Sequence, residues 1–133
     1  MGMKASMKII IIDDMSTMRK VIKNMLGQMG FKNITEADDG ATALPKIEEA
    51  YKNGAPFEFI ISDWNMPKMS GLDLLKKLKE ADHFKNTPFL MVTAEAEQSN
   101  VVIALKAGVS NFIVKPFSAV VLKEKIEKIF KDA

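Results

Sequence analysis

Residues 8–14 read KIIIIDD, a lysine followed by four isoleucines and two aspartates. Isoleucine is β-branched and favours extended backbone. A short, uninterrupted apolar run is typical of a strand buried on both faces, as in a parallel sheet. Carboxylates that follow such a strand lie at its carboxyl end, which is where open α/β sheets bind ligands. The stretch therefore indicates both a fold class and the edge of the sheet where a site is expected.

Similar runs recur along the chain and alternate with helical patterns. We predict strands at residues 8–12, 33–36, 57–62, 89–93 and 111–114, and the polar second run suggests an edge strand. Between them, apolar residues recur at the i, i+3, i+4 and i+7 spacing of an amphipathic helix. Five βα units in this order predict an α/β fold, in which helices cover both faces of a five-stranded parallel sheet.

Local signals bound the predicted helices. The first is expected at 17–29, with apolar positions that include Val21, Ser16 as its N-cap, Gly30 as its stop and its methionines in the core. The second, at 42–51, contains Pro45, which is tolerable only in a first turn. The third follows Gly71, and the fourth spans 94–107. The apolar positions of the third and fifth are Leu72, Leu75 and Leu78, and Leu122, Ile126, Ile129 and Phe130.

Composition narrows the function classes. The chain has 133 residues, 47% of them hydrophobic and 27% charged, which suits one globular domain. A net charge of +2 gives no indication of nucleic-acid binding, and the absence of cysteine excludes disulfides and thiolate metal sites. The apolar runs are far shorter than the ~20 residues of a membrane span. We therefore expect a cytoplasmic protein that binds neither nucleic acid nor membrane.

The predicted strand ends collect a distinctive set of side chains. They are Asp13 and Asp14 after the first strand, Asp63 after the third, Thr93 on the fourth and Lys115 after the fifth. Crowded carboxylates repel one another and need a cation or protons, and oxygen ligands favour Mg²⁺. An aspartate can also act as a nucleophile and form an aspartyl phosphate, with a metal ion and a lysine stabilising the transferring group.

Five segments resemble bacterial response-regulator receiver domains, most closely those of chemotaxis. The segments are IIDDMSTMRK (11–20), EADDGATAL (36–44), ISDWNMPKMSGLDLL (61–75), LMVTAEA (90–96) and AGVSNFIVKPF (107–117). The resemblance covers residues 8–131, which implies a flexible leader at 1–7 and no output domain. It also implies a flavodoxin-like (βα)5 three-layer sandwich, and the strand order 2-1-3-4-5 comes from the resemblance alone.

The resemblance also implies roles for individual residues. Asp63 is expected to be the phosphoacceptor. Asp14, Asp63 and the backbone carbonyl of Asn65 are expected to bind Mg²⁺, with Asp13 acting mainly through a metal-bound water. Thr93 is expected to contact the phosphoryl group.

Further roles concern the fifth strand and the loop beside the site. Lys115 is expected to contact the phosphoryl group and to precede a cis peptide bond at Pro116. Phe112 is expected to act with Thr93 as the conformational switch. Met66–Pro67 and Gly71 are expected to shape the loop next to Asp63.

The function implied is that of a monomeric, single-domain chemotaxis regulator. A histidine kinase would phosphorylate it, and the phosphorylated form would bind the flagellar motor switch and change rotation. A phosphatase is a further conceivable partner. The protein would catalyse its own phosphorylation and dephosphorylation without being an enzyme in the usual sense. The alternative, a phosphorelay intermediate or a regulator outside motility, has the same site and differs only in its partners.

Two other classes fit the residues poorly. Phosphatases of the haloacid dehalogenase type carry an acidic residue two positions after the nucleophile, where this chain has Asn65. A flavodoxin-type cofactor site needs a hydroxyl- and glycine-rich loop after the first strand, where this chain has two aspartates. We therefore expect no substrate turnover and no flavin.

Several positions depart from the chemotaxis pattern or carry no expected chemistry. Phe112 replaces a usual tyrosine, residues 97–99 (Glu-Gln-Ser) lie where lysine is common, and Leu105 replaces a usually small residue. Fewer cations near Gln98 should weaken attraction for an acidic partner peptide. Trp64 is expected to be partly exposed, and His83 is expected to be exposed and not a phosphorelay site.

Overall fold

The five strands form one parallel sheet. In the structure, a computed structural model that describes residues 5–94 and 98–131 (backbone alone for 98–101), they are β1 (Ile9–Ile12), β2 (Ile34–Ala37), β3 (Phe59–Asp63), β4 (Phe89–Thr93) and β5 (Asn111–Val114). Their order is β2-β1-β3-β4-β5, and every neighbouring pair is parallel. The predicted fold class, strand order and edge position of the second strand are confirmed.

Five helices connect and cover the strands. They are α1 (Ser16–Gln28), α2 (Gly40–Lys52), α3 (Gly71–Lys79), α4 (Gln98–Lys106) and α5 (Ala119–Phe130). No helix in the described part of the chain combines the length and the apolar character that crossing a membrane requires.

The alternating side chains of the strands build two apolar clusters, one on each face of the sheet. Ile10, Ile12 and Met91 pack with buried residues of α2, α3 and α4. Ile9 and Ile11 face the other way and pack with buried residues of α1 and α5. The result is a three-layer sandwich, because a strand buried on both faces needs an apolar partner on each.

Helix α1 begins differently from the prediction. Its N-cap is Met15, which has no side-chain capping bond, and Ser16 is the first helical residue. The N–H of Met15 donates to Asp13 Oδ1 (2.8 Å), so the side chain of Asp13 organises the turn that enters the helix. Gly30, with φ of 97°, follows the C-cap and ends the helix as predicted.

Pro45 is the second correction. Helix α2 begins at Gly40, so Pro45 lies beyond the first turn, contrary to the prediction. The earlier start has a clear cause, since Asp39 before Gly40 and Thr42 in the first turn form a capping box. The exposed ring of Pro45 therefore interrupts the helical hydrogen-bond ladder on the solvent side.

Smaller differences concern boundaries and burial. Ala94 lies in a bend, so the fourth helix does not begin there, and residues 95–97 lie outside the described part. Val21 was expected on the apolar face of α1 but is 44% exposed, whereas Met18, Met25 and Met29 of that helix pack on the core as expected. Met7 is buried in the same cluster, so the packed core begins one residue before the predicted boundary.

Candidate functional site

Three carboxylates converge at the carboxyl edge of the sheet. One oxygen atom each from Asp13, Asp14 and Asp63 lies within 4.8 Å of the others. Strands β1 and β3 are neighbours, with Ile12 in register with Ser62. The residues that come next, Asp13 and Asp63, therefore lie side by side. Asp13 and Asp63 are buried, whereas Asp14 is exposed, so the cluster opens to solvent on one side.

Lys115 connects two of these carboxylates. Its Nζ lies 3.2 Å from Asp13 Oδ2 and 3.3 Å from Asp63 Oδ1. The residue follows β5, its backbone N–H donates to the carbonyl of Thr93 (2.7 Å), and the peptide bond to Pro116 is cis, as the resemblance implied. The lysine thus extends from the end of the edge strand β5, past β4, to the acidic cluster at the ends of β1 and β3.

The charges of this group shift one another's protonation. Burial, together with the neighbouring charge of Asp13, raises the pKa of Asp63 above its usual value despite the ammonium of Lys115. Burial alone would lower the pKa of Lys115, but the charges of Asp63 and Asp13 outweigh it and raise that pKa. The lysine therefore stays charged, while the Asp63 carboxylate remains imperfectly compensated.

Hydrogen bonds also fix the acceptor candidate and the loop that follows it. The N–H of Trp64 donates both to Asp63 Oδ1 (2.9 Å) and to the carbonyl of Val92 (2.9 Å). Gly71 N–H donates to the carbonyl of Trp64 (2.9 Å), which closes the loop between β3 and α3. Asn65 in this loop is exposed, Met66 is buried, and Trp64 is half-buried, as predicted for the tryptophan.

Gly71 lies where no side chain fits. A Cβ atom built on it would collide with the backbone carbonyl oxygen of Asp63 and would lie 2.9 Å from the sulfur of Met91. Backbone atoms of a central strand cannot give way cheaply. The start of α3 is therefore pressed directly against the candidate phosphoacceptor.

Thr93 and Phe112 lie on one face of the sheet. Thr93 is buried at the end of β4 in register with Val114, and Phe112 on β5 is in register with Met91. Phe112 is half-buried, and Lys125 Nζ lies 5.0 Å from its ring centroid. The structure thus places the two residues of the predicted switch on neighbouring strands, two residues apart in register. Their coupled movement stays a prediction.

Asp39 was missed by the sequence reasoning. It is buried, and its carboxylate accepts from the backbone N–H groups of Ala41 (2.9 Å), Lys68 (3.0 Å) and Met69 (2.8 Å). Asp39 followed three residues later by Thr42 is a recognisable helix-capping signal. The bonds to residues 68 and 69, almost thirty positions later in the chain, have no such signal.

Arg19 was also missed. Its Nη1 donates to the backbone carbonyl of Asp13 (2.7 Å), and its Nε pairs with Glu36 Oε1 of β2 (3.0 Å). The side chain is 17% exposed, so this pair is partly shielded from water. Arg19 therefore ties the end of β1, which carries the acidic pair, to the edge strand.

The acidic cluster suits a hard divalent cation. Its donors are carboxylate oxygens of two buried residues and one exposed residue. Burial and the charge of Asp13 raise the pKa of Asp63, and a bound cation would offset both effects. Mg²⁺ prefers such oxygen ligands and keeps several waters, which the exposed side at Asp14 permits. The residues present therefore fit the predicted metal.

The remaining predicted positions lie away from this cluster. His83 is exposed as predicted, and its ring stacks on Tyr51 at a centroid distance of 4.1 Å. Leu105 is 56% exposed on α4. Glu97 and the side chains of Gln98 and Ser99 lie outside the described residues.

Comparison with known proteins defines the class. The family model for the response regulator receiver domain matches residues 9–127. The chain therefore belongs to the response regulator receiver domain family.

Curated relatives narrow the class to chemotaxis. The chain is 53% identical over 125 residues to chemotaxis protein CheY of Pseudomonas aeruginosa, covering 94% of this chain and 97% of that one. It is 50% identical over 126 residues to chemotaxis protein CheY-3 of Vibrio cholerae, covering 95% and 93%. This protein is therefore a CheY-like chemotaxis receiver domain.

Solved structures share the fold. Vibrio cholerae CheY4 superposes with a TM-score of 0.82 at 31% identity, covering 93% of this chain and 98% of that one. CheY in the CheX–CheY–BeF3–Mg²⁺ complex from Borrelia burgdorferi gives 0.84 at 29% identity, covering 93% and 89%.

Proposed function

We propose that this chain is a phosphorylation-controlled switch of chemotaxis, with Asp63 as phosphoacceptor and Mg²⁺ as cofactor. The observation that carries the proposal is the bridge from Lys115 Nζ to Asp13 and Asp63 within the cluster of three carboxylates. An ammonium beside the acceptor lowers the repulsion that an incoming phosphate meets. Once Asp63 is phosphorylated, the same ammonium can pair with a phosphoryl oxygen.

The phosphoryl donor in this proposal is a phosphohistidine of a chemotaxis kinase. A carboxylate oxygen of Asp63 forms a bond to phosphorus, the P–N bond breaks, and the imidazole nitrogen takes up a proton. Water later cleaves the acyl phosphate, which restores the carboxylate and releases inorganic phosphate. The chain thus catalyses its own phosphorylation and dephosphorylation, and Asn65 offers no second acid for turnover of other substrates.

The metal would be held by the residues that the cluster supplies. Asp14, Asp63 and the carbonyl of Asn65 are the proposed ligands, with Asp13 acting through a bound water. A bound Mg²⁺ supplies positive charge to the phosphoryl oxygens. The Borrelia relative supports Mg²⁺ as the cofactor, because its complex contains Mg²⁺ together with BeF3, a mimic of a phosphoryl group.

The proposed output is binding of the flagellar motor switch by a cytoplasmic monomer. Thr93 and Phe112 share one face of the sheet, and β5 adjoins helices α4 and α5. Exposed apolar side chains lie on both helices, at Val102, Leu105 and Val120. The relatives named CheY favour this output over a role outside motility, and the Borrelia complex of CheX with CheY supports a further protein partner. A phosphatase is the proposed partner of that kind.

Labelling with acetyl phosphate tests the acceptor. With Mg²⁺ present, we expect about one phosphoryl group per wild-type chain and none on Asp63→Asn. Asp82→Asn is the matched control, because Asp82 is an exposed carboxylate paired with Lys85 outside the cluster. Undiminished labelling of Asp63→Asn would place the acceptor elsewhere, and labelling in excess EDTA would contradict the metal requirement.

Titration with the N-terminal peptide of the motor switch protein tests the output. We expect tighter binding when BeF3 and Mg²⁺ are present than when they are absent. Equal binding in both states would contradict a phosphorylation-controlled output. Absence of binding in both states would favour the phosphorelay alternative.

A further inference from the structure

The loop between β3 and α3 is held at two places. At its base, Trp64 N–H donates to Asp63 Oδ1 and the carbonyl of Trp64 accepts from Gly71. At its far end, the N–H groups of Lys68 and Met69 both donate to the carboxylate of Asp39. The part of the loop that contains Asn65 and Met66 therefore lies between two anchors.

The second anchor is unusually complete for a single side chain. Asp39 Oδ1 accepts from Ala41 (2.9 Å) and Met69 (2.8 Å), and Oδ2 accepts from Lys68 (3.0 Å). Charge-assisted bonds of this length are stronger than neutral ones. Because Asp39 is only 4% exposed, water competes weakly for its oxygens. Burial by itself would raise the pKa of Asp39, but the three N–H donors outweigh it and lower that pKa.

Backbone packing reinforces the same contact. Gly40 N–H donates to the carbonyl of Met69 (3.2 Å), and a Cβ atom on Gly40 would lie 2.6 Å from that oxygen. The N-terminus of α2 and the loop are therefore in direct backbone contact. The loop cannot shift along α2 without breaking the bonds to Asp39.

We propose that Asp39 is a positioning residue, which holds the β3–α3 loop so that the backbone carbonyl of Asn65 faces the acidic cluster. The inference rests on the proposed function, because the Asn65 carbonyl is a proposed Mg²⁺ ligand. Asp39 itself does not touch the metal or the phosphoryl group in this scheme. It acts through its hydrogen bonds to residues 68 and 69, and loss of these bonds should lower the affinity for Mg²⁺.

Three variants separate this role from simple capping of α2. Asp39→Ser keeps an N-cap side chain for α2 but is too short to bridge to Lys68 and Met69. Asp39→Asn keeps one acceptor oxygen and turns the other acceptor into a donor. Asp38→Asn is the control, because it removes the same charge one residue away, where the carboxylate accepts from Thr42 Oγ1 instead of the loop.

The readout is Mg²⁺ affinity followed by the fluorescence of Trp64, which lies in the loop, with folding of each variant checked by circular dichroism. We expect the apparent Kd for Mg²⁺ to rise roughly tenfold in Asp39→Ser, less in Asp39→Asn and not at all in Asp38→Asn. Amide hydrogen exchange of Met69 should accelerate in the same order. If Asp39→Ser does not fold, the graded comparison of Asp39→Asn with Asp38→Asn decides the question.

The outcomes distinguish the two proposals. Unchanged Mg²⁺ affinity in folded Asp39→Ser and Asp39→Asn, alongside normal binding by the wild type, would overturn the positioning role alone. Failure of the wild type to bind Mg²⁺ would overturn the proposed function. Labelling that is slowed in Asp39→Ser at low Mg²⁺ and restored at saturating Mg²⁺ would support the positioning role, whereas a loss that Mg²⁺ does not restore would contradict it.

Discussion

Asp39 and Asp63 both lie at the carboxyl edge of the sheet, Asp39 after β2 and Asp63 at the end of β3. They are buried to a similar extent, with 4% and 8% of their surface exposed. Their protonation nevertheless shifts in opposite directions. Three backbone N–H groups lower the pKa of Asp39, whereas burial and the charge of Asp13 raise the pKa of Asp63. The same side chain thus stabilises the fold in one place and costs stability in the other.

The two carboxylates differ in how far the surrounding protein compensates their charge. Asp39 accepts three hydrogen bonds from the protein's own backbone, which compensate most of its charge. Asp63 accepts one backbone N–H, from Trp64, and shares the Lys115 ammonium with Asp13. A cation bound there would therefore stabilise a carboxylate whose charge the protein compensates only in part.

The largest effect on stability is expected from a substitution at Gly71, where the start of α3 packs on the backbone of Asp63. Gly71→Ala should lower the free energy of unfolding by about 3 kcal/mol, because its Cβ collides with the carbonyl of Asp63. Urea unfolding measures this change. We also expect slower labelling by acetyl phosphate, since relief of the collision must move Asp63 or α3.

Gly27→Ala is the matched control for that substitution. Gly27 lies in α1, and a Cβ atom there would meet nothing within 4 Å. Alanine in a helix should raise the free energy of unfolding by roughly 0.5 kcal/mol. Equal effects of the two substitutions would show that Gly71 is not pressed against Asp63.

The next largest effect concerns Asp39 itself. Asp39→Ala should lower the free energy of unfolding by about 2 kcal/mol, because it removes an N-cap and leaves backbone N–H groups of Lys68 and Met69 without their acceptor. Denaturant unfolding at neutral pH checks the value. A loss below that of an ordinary cap removal would mean that the loop bonds contribute nothing.

Addition of Mg²⁺ should reduce the difference between Asp39 and Asp63, because the ion would compensate the charge of Asp63. At ten times its Kd, Mg²⁺ should stabilise the wild type by about 1.4 kcal/mol, since the ion binds only the folded cluster. Thermal unfolding with and without the ion measures this. Asp63→Asn should respond much less, and an equal response would place the metal away from Asp63.

The smallest effect is expected from Asp63 in the absence of metal. Asp63→Asn should raise the free energy of unfolding by about 1 kcal/mol at neutral pH, because it removes a buried charge next to Asp13. Unfolding at matched pH values should detect it. A lower stability for the variant would mean that the pairing with Lys115 outweighs burial and repulsion.

The pH dependence of that effect has a definite sign. The folded-state pKa of Asp63 is raised, so the folded chain binds this proton more tightly than the unfolded chain does. The cost of the charged form is therefore absent at low pH and develops as the pH rises through the folded pKa. The advantage of Asp63→Asn should shrink as the pH falls. For Asp39, whose pKa is lowered, the stabilising contribution is lost instead as the pH falls below the usual aspartate range.

Most of the fold could be predicted because its signals are local. The isoleucine run of β1, the apolar run of β4 and the stop at Gly30 each depend on a few adjacent residues, and each matches the structure. The errors at Ser16 and Pro45 arose where a side chain outside the helix set its first residue. Asp13 organises the entry to α1, and Asp39 starts α2 earlier than its apolar pattern suggests.

The acidic cluster was predictable for a different reason. Parallel strands bring their carboxyl ends to one edge, so the alternation of strands and helices was enough to place Asp13, Asp14 and Asp63 together. The contacts of Arg19 and Asp39 were not predictable in that way. Each contact joins a side chain to the backbone of another segment, and neither helical nor strand periodicity indicates which segment that is.

The sequence by itself therefore determined the layers of this protein and the identity of the side chains at one edge of its sheet, because burial and periodicity act over short stretches. Only the tertiary structure decided how those side chains share charge. The distances from Lys115 to two carboxylates, and the three backbone donors of Asp39 against the one of Asp63, depend on how separate strands and loops come together. That arrangement makes Asp39 part of the scaffold and leaves the Asp63 carboxylate with fewer hydrogen-bond donors beside the charge of Asp13.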